Sequence, residues 1–275
     1  MASFYLVLAL VLAATLNARA RWVRVAGTLT AALGLFMMVY SIILADLDGT
    51  FAAVPSSAPL LQRITPVILN VQAVIAGVAV LFLLWSAWAQ WRRPLPDALP
   101  LANTPQRYGI ASRAFHWVMA VMMLCLVPIG LFMAVLPESA PERADFVSAH
   151  QSLGVTVLVL LGARIGWLLI SPAPRSLTAK GPLDQGAAKA VHLGLYGAML
   201  AFPLSGLLIA QGGSADFYGL AIALPVWPAA SEIALLVHGW VLPLVFYATL
   251  TLHLAAVLKR HFTTRDKAAV RRMLR

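Results

Sequence analysis

Seven apolar runs of near-bilayer length follow one another along this chain, at roughly 2–18, 25–45, 66–90, 114–135, 151–170, 188–210 and 236–258. A helix needs ~20 mostly apolar residues to cross the hydrocarbon core. Only helices and closed barrels satisfy their own backbone there. Hydrophobic residues make up 61% of the 275 and charged residues 11%, where a soluble domain carries about 25% charged residues. The expected fold class is therefore an all-α integral membrane protein with about seven transmembrane helices. The first run is the shortest, and Ala18-Arg19-Ala20 at its end resembles a cleavage site. No basic residue precedes that run, so it reads as a retained helix rather than a signal peptide.

Charge fixes the expected orientation. Arg19, Arg21 and Arg24 follow the first run, and Arg92, Arg93, Arg107 and Arg113 follow the third. Arg175, Lys180 and Lys189 fill a later loop, and a basic cluster from Lys259 to Arg275 follows the last run. Asp46, Asp48, Glu138, Glu142, Asp145, Asp216 and Glu232 fall in the alternate loops. Basic loops stay cytoplasmic, so the N-terminus is expected outside and the C-terminus inside, in a bacterial inner membrane. The net charge of +10 then reports topology, and nucleic acid is not an expected partner.

Pro94, Pro96, Pro100 and Pro105 interrupt periodicity after Trp91. Residues 91–112 read as a cytoplasmic linker between a three-helix N-terminal extension, 1–90, and a four-helix domain, 113–275. The extension has no histidine. Gly27, Gly34 and Gly77 suit close helix packing there, and its reading is packing, assembly or lipid contact.

The chemistry lies in the histidines. His116 and His150 open the first two helices of the four-helix domain, and the last helix carries His238 and His253, fifteen positions apart. A histidine at membrane depth is costly and normally partnered. In an up-and-down bundle, depth pairs His116 with His253 and His150 with His238. Two such pairs suit two haems, each iron held axially by two imidazoles, near opposite membrane faces. Fifteen residues at ~100° each leave His238 and His253 about 60° apart around an ideal helix, and fourteen would leave about 40° in the other sense. Pro243 lies between them, and a kink or π-bulge at such a proline would restore a common face.

Other residues fit this reading. Gly154 lies one turn past His150, and Gly130 lies fourteen residues past His116; both offer a porphyrin close approach or serve helix packing. Arg164, fourteen residues past His150, suits a haem propionate or snorkels to the interface. His192 and His261 read as interfacial, with a quinone or proton role open to His192. The lone cysteine, Cys125, excludes disulfides, thiolate-held clusters and covalent c-type haem. Zinc would want four converging ligands, whereas these histidines split into pairs without carboxylates.

These residues resemble the prokaryotic cytochrome b561 family. The matching stretches are Tyr108-Gly109 with Ser112 and His116-Trp117, then His150-Gln151-Ser152-Leu153-Gly154 with Arg164. Val191-His192-Leu193-Gly194-Leu195-Tyr196 follows, with Pro203 and Gly206. His253-Leu254-Ala255-Ala256, His261-Phe262, Asp266 and Arg272-Met273 complete the set, which covers 106–275. The resemblance implies a four-helix bundle with two b-type haems, axial ligation by His116, His150, His238 and His253, and no ligand role for His192. It also implies exchange with the quinone pool (ubiquinone) and service to periplasmic dehydrogenases, small electron carriers or superoxide oxidation. Two features depart from the pattern: the His238–His253 interval is one residue longer, and three helices precede the unit. The expected function is transfer of single electrons between a periplasmic-side partner and quinone. The alternatives are a subunit of a larger respiratory or photosynthetic complex, or a superoxide:quinone oxidoreductase.

Overall fold

The computed structural model describes residues 6, 7, 9–11, 13, 21–47, 49, 60–92, 100–141, 143–175, 181–210, 213–262 and 272–273. Among them the chain is almost entirely helical: α1 (Arg21–Leu47), α2 (Leu60–Trp91), α3 (Ile110–Val135), α4 (Arg143–Ile170) and α5 (Pro182–Ile209). A short hairpin follows, β1 (Ser214–Phe217) and β2 (Leu220–Ala223). Then α6 (Pro228–Leu236), one π-helical stretch (Val237–Val241) and α7 (Leu242–Phe262) run on continuously. Among the described residues six stretches are long and apolar enough to cross a bilayer: Trp22–Leu44, Arg63–Ala89, Ile110–Val135, Arg143–Ile170, Asp184–Ile209 and Pro228–Arg260. They coincide with the last six runs read from the sequence. The expected crossing over 2–18 and residues 93–99 of the expected linker fall mostly or wholly outside the described residues.

The chain forms two compact units. The first comprises 1–97, 117–153 and 216–221, and the second 98–116, 154–215 and 222–275. In the first, α1 packs along α2. Its interior is mostly aliphatic but includes Arg24, Thr28, Thr65 and Gln72. Thr28 returns its hydroxyl to the Arg24 carbonyl at 2.8 Å, and Gln72 donates Nε2 to the Leu124 carbonyl at 3.5 Å. Leu33, Val74 and Leu81 point outward, as a helix pair wetted by lipid requires. The open carbonyls at the end of α3 are closed by Arg143, whose Nη1 donates to Met133 O at 2.6 Å and Leu136 O at 2.8 Å.

In the second unit α5 packs against α6, the π stretch and α7. The segment before α3 is stapled to the end of α4. Asn103 donates its backbone N–H to Ser171 Oγ at 2.8 Å and its side-chain Nδ2 to Ser171 O at 2.8 Å. Gly109 donates its backbone N–H to Asn103 Oδ1 at 2.9 Å, and a Cβ at Gly109 would collide with the Leu101 and Ala102 carbonyls. Trp167 Nε1 donates to Ser112 Oγ at 3.1 Å. Arg113, wholly buried, donates Nε to Met273 O at 3.1 Å, and Arg272 donates to Arg175 O at 2.8 Å. Arg113, read from the sequence as a loop charge, therefore helps anchor the C-terminal residues.

The hairpin turns through Tyr218 and Gly219, with φ of 53° and 89°. Two successive positive φ values are the I′ pattern that matches strand twist, and glycine carries the second at no steric cost.

Candidate functional site

Three histidines gather in the second unit. His116, near the start of α3, and His253, on α7, have ring centroids 6.4 Å apart and planes tilted 51°. Two imidazoles on opposite sides of one metal ion, each bound at ~2 Å, place their centroids about 6.3 Å apart. His192 on α5 lies edge-on to His253, with centroids 5.5 Å apart, which falls short of that span. Sequence reasoning set His192 apart as interfacial; the fold brings it against His253. The pattern that could have shown this is its position one turn before Tyr196 on the same face.

Arg164 belongs to the same group. Its Cζ lies 5.0 Å from the centre of the Tyr196 ring, a cation–π distance. Tyr108 is close by, and burial raises its phenol above the ordinary value, against the lowering influence of the Arg272 and Arg164 guanidiniums. Arg164, Arg272, Tyr108 and Tyr196 therefore lie near one another, a set that would receive carboxylate groups well.

His238 sits inside the π-helical stretch, in the same unit. Its Nδ1 lies 3.0 Å from Ser205 Oγ, and the Phe202 ring meets it edge-on at 5.3 Å. A Cβ on Gly206 would lie 3.2 Å from His238 Cε1, so glycine makes the room that the ring occupies. The π turn widens the helix just before Pro243, whose ring would clash with the carbonyl of Gly239 in a regular helix. A π turn absorbs about one residue, so the fifteen-residue interval to His253 behaves like fourteen, and the two side chains come within about 40° around the axis.

His150, on α4, belongs to the first unit. A Cβ at Gly130 would lie 2.9 Å from His150 Cε1. Gly130 therefore seats the His150 ring. At Gly154 an added Cβ would meet nothing within 4 Å, so that face of α4 is open. Beside His150 in the chain, a cleft of about 450 Å³ is lined by Glu138, Arg143, Ser148, Gln151 and Asp216. The hairpin is pinned here. Ser148 donates to Asp216 Oδ2 at 2.6 Å and the Gly219 amide to Oδ1 at 2.7 Å. Those two bonds hold the Asp216 carboxyl below the ordinary carboxylate range. Gln151 Oε1 accepts from the Asp216 amide at 2.8 Å, and Ser152 Oγ from the Tyr218 amide at 2.9 Å.

Glycine seats under two imidazoles, and two further imidazoles with centroids 6.4 Å apart, fit a non-covalent haem protein. Comparison with known proteins agrees. The family described as prokaryotic cytochrome b561 matches residues 107–275, more than half of the chain. The chain belongs to the prokaryotic cytochrome b561 family. It is similar to cytochrome b561 homolog 2 of Escherichia coli (strain K12), 33% identical over 187 residues, 64% of this chain and 95% of that protein. It is also similar to the probable superoxide oxidase CybB of Yersinia pestis, 25% identical over 173 residues, 61% of this chain and 96% of that one. Membership in cytochrome b561 makes this a multi-pass membrane protein of electron transport with haem b as its cofactor. Residues 1–106 precede the matched region.

Proposed function

We propose that this chain carries single electrons across the inner membrane between a periplasmic-side partner and quinone. His116 and His253 would hold one haem b, and His150 and His238 a second, with Arg164 receiving a propionate of the first. When bound, haem with two histidine ligands supplies one-electron chemistry without an open iron position. The protein's residues orient the rings, exclude water and set the local field. The 6.4 Å separation of the His116 and His253 rings carries the reading most directly. The alternation of basic and acidic loops supports an outside N-terminus and an inside C-terminus. Residues 1–90 would form an extension joined through 91–112 to the haem-bearing domain, 113–275.

The cleft beside His150 bears on the partner. Its carboxylates are Glu138 and Asp216, while the Arg143 guanidinium is engaged by two backbone carbonyls. Such a rim repels anions, which disfavours superoxide and suits a basic redox protein or dehydrogenase. The CybB relative is the observation on the other side. Service as a subunit of a larger membrane complex is a further reading, favoured by the helices that precede the matched region.

The test uses the purified holoprotein in proteoliposomes, with a ubiquinol analogue in the membrane. Haem reduction by the quinol, followed by reoxidation by a basic electron acceptor outside, is expected. Haem that neither quinol nor quinone can reduce or oxidise would overturn the quinone assignment. Superoxide-driven haem reduction at near-diffusional rate, insensitive to salt, would replace the periplasmic partner proposed here.

A further inference from the structure

Ser205 carries an inference beyond ligand identity. Its hydroxyl lies 2.6 Å from Ala201 O and 3.0 Å from Phe202 O, one and almost one turn back on α5. A hydroxyl has a single proton, and a carbonyl can only accept. The proton of Ser205 is therefore spent within its own helix. The remaining contact of Ser205 Oγ, at 3.0 Å from His238 Nδ1, then has the oxygen as acceptor and the ring nitrogen as donor; the Phe202 backbone is a second partner of the same imidazole.

We propose that Ser205 is a positioning residue that keeps the proton of His238 on Nδ1, presents Nε2 to iron, and strengthens that nitrogen as a ligand. The proposal rests on the reading of His238 as an axial ligand. Nδ1 faces α5, where a Cβ on Gly206 would come within 3.6 Å of it, and the proposal assigns Nε2 to iron. A ligating imidazole commonly donates its other N–H to an oxygen, which fixes the tautomer and orientation and raises ligand basicity. The Phe202 ring, edge-on at 5.3 Å, limits rotation of the imidazole about its own axis. The serine oxygen, the Phe202 backbone and the phenyl edge together restrain the ring.

A more basic axial nitrogen favours ferric over ferrous iron. Removing the Ser205 oxygen, with the Phe202 backbone partner still in place, should raise the midpoint potential of one haem and leave the other where it was. The expected size is about a tenfold change in that haem's redox equilibrium, 59 mV for one electron.

The experiment compares Ser205→Ala, Ser205→Thr, Ser205→Val and His238→Ala in the detergent-purified holoprotein. Haem content, low-spin electron paramagnetic resonance g values and potentiometric titration are read for each. Threonine and valine give nearly one shape with and without the hydroxyl, so volume cancels between them. Ser205→Thr should match the wild type. Ser205→Val and Ser205→Ala should shift one midpoint upward and move the g values of the same haem. Wild-type midpoints and g values in both Ser205→Val and Ser205→Ala, with His238→Ala losing one haem, would sink the role of Ser205 and leave the ligand. Two haems retained in His238→Ala would sink the ligand assignment itself.

Discussion

Gly130→Ala is the sharpest single perturbation of the His150 site. The new Cβ would stand 2.9 Å from His150 Cε1, where unstrained carbons sit ~3.5–4.0 Å apart. The overlap is therefore about 0.6–1.1 Å. A free imidazole would swing aside at little cost, because it is the end of a side chain with two rotatable bonds. An imidazole gripping iron cannot, so the penalty falls on the haem-loaded state. Overpacking of this kind costs ~1–3 kcal/mol, equivalent to about 5- to 150-fold weaker haem retention at that site. The assay is haem-to-protein ratio after purification, followed by haem loss to an apo-acceptor over time. Gly166→Ala, where a Cβ meets nothing within 4 Å, serves as the comparison and should retain its haem. Normal accumulation in the membrane with one haem released fast is expected of Gly130→Ala. A full complement of haem with wild-type release kinetics would refute the reasoning.

Three further predictions follow from the same geometry. His116→Ala and His253→Ala should each remove the same haem, and the double variant should lose no more than either alone; loss of both haems in the double variant would break the pairing. Arg164→Gln removes a positive charge from beside that haem, so its midpoint should fall and its haem should be held more weakly; an unchanged titration would mean that the guanidinium serves Tyr196 alone. The Asp216 carboxyl is held below its ordinary range by the Ser148 hydroxyl and the Gly219 amide. A depressed folded value stabilises at pH above the unfolded value, near 3.8, and the contribution disappears as pH falls through the folded value. Hydrogen exchange over 214–223 should therefore stay slow at neutral and mildly acidic pH and accelerate only in stronger acid, and Asp216→Asn or Ser148→Ala should be fast throughout.

The helices were legible because a bilayer imposes one length and one composition, and six runs reappear as spans of the expected extent. Local chemistry was legible too. Pro243 announced a distortion, and the π turn at Val237–Val241 lies one turn before it, where the carbonyl opposed to the proline ring must be moved. The hairpin at 214–223 escaped notice because its four-residue strands are held by bonds from Ser148, Gln151 and Ser152, more than sixty residues earlier. Counting along α3 cannot reveal that the His150 ring of α4 rests upon Gly130. Ser205 and His192 were missed as partners of His238 and His253 for the same reason. Side-chain meetings between helices depend on rotation about each axis, which a sequence of uniformly apolar helices leaves almost unmarked.

The central claim is that paired imidazoles hold two haems in one chain. A reduced-minus-oxidised spectrum combined with a pyridine haemochrome assay and protein quantitation on the purified, haem-replete chain measures it directly. Two b-type haems per polypeptide, both six-coordinate and low-spin, are predicted. One haem per polypeptide, or a high-spin species that binds carbon monoxide readily, would contradict it.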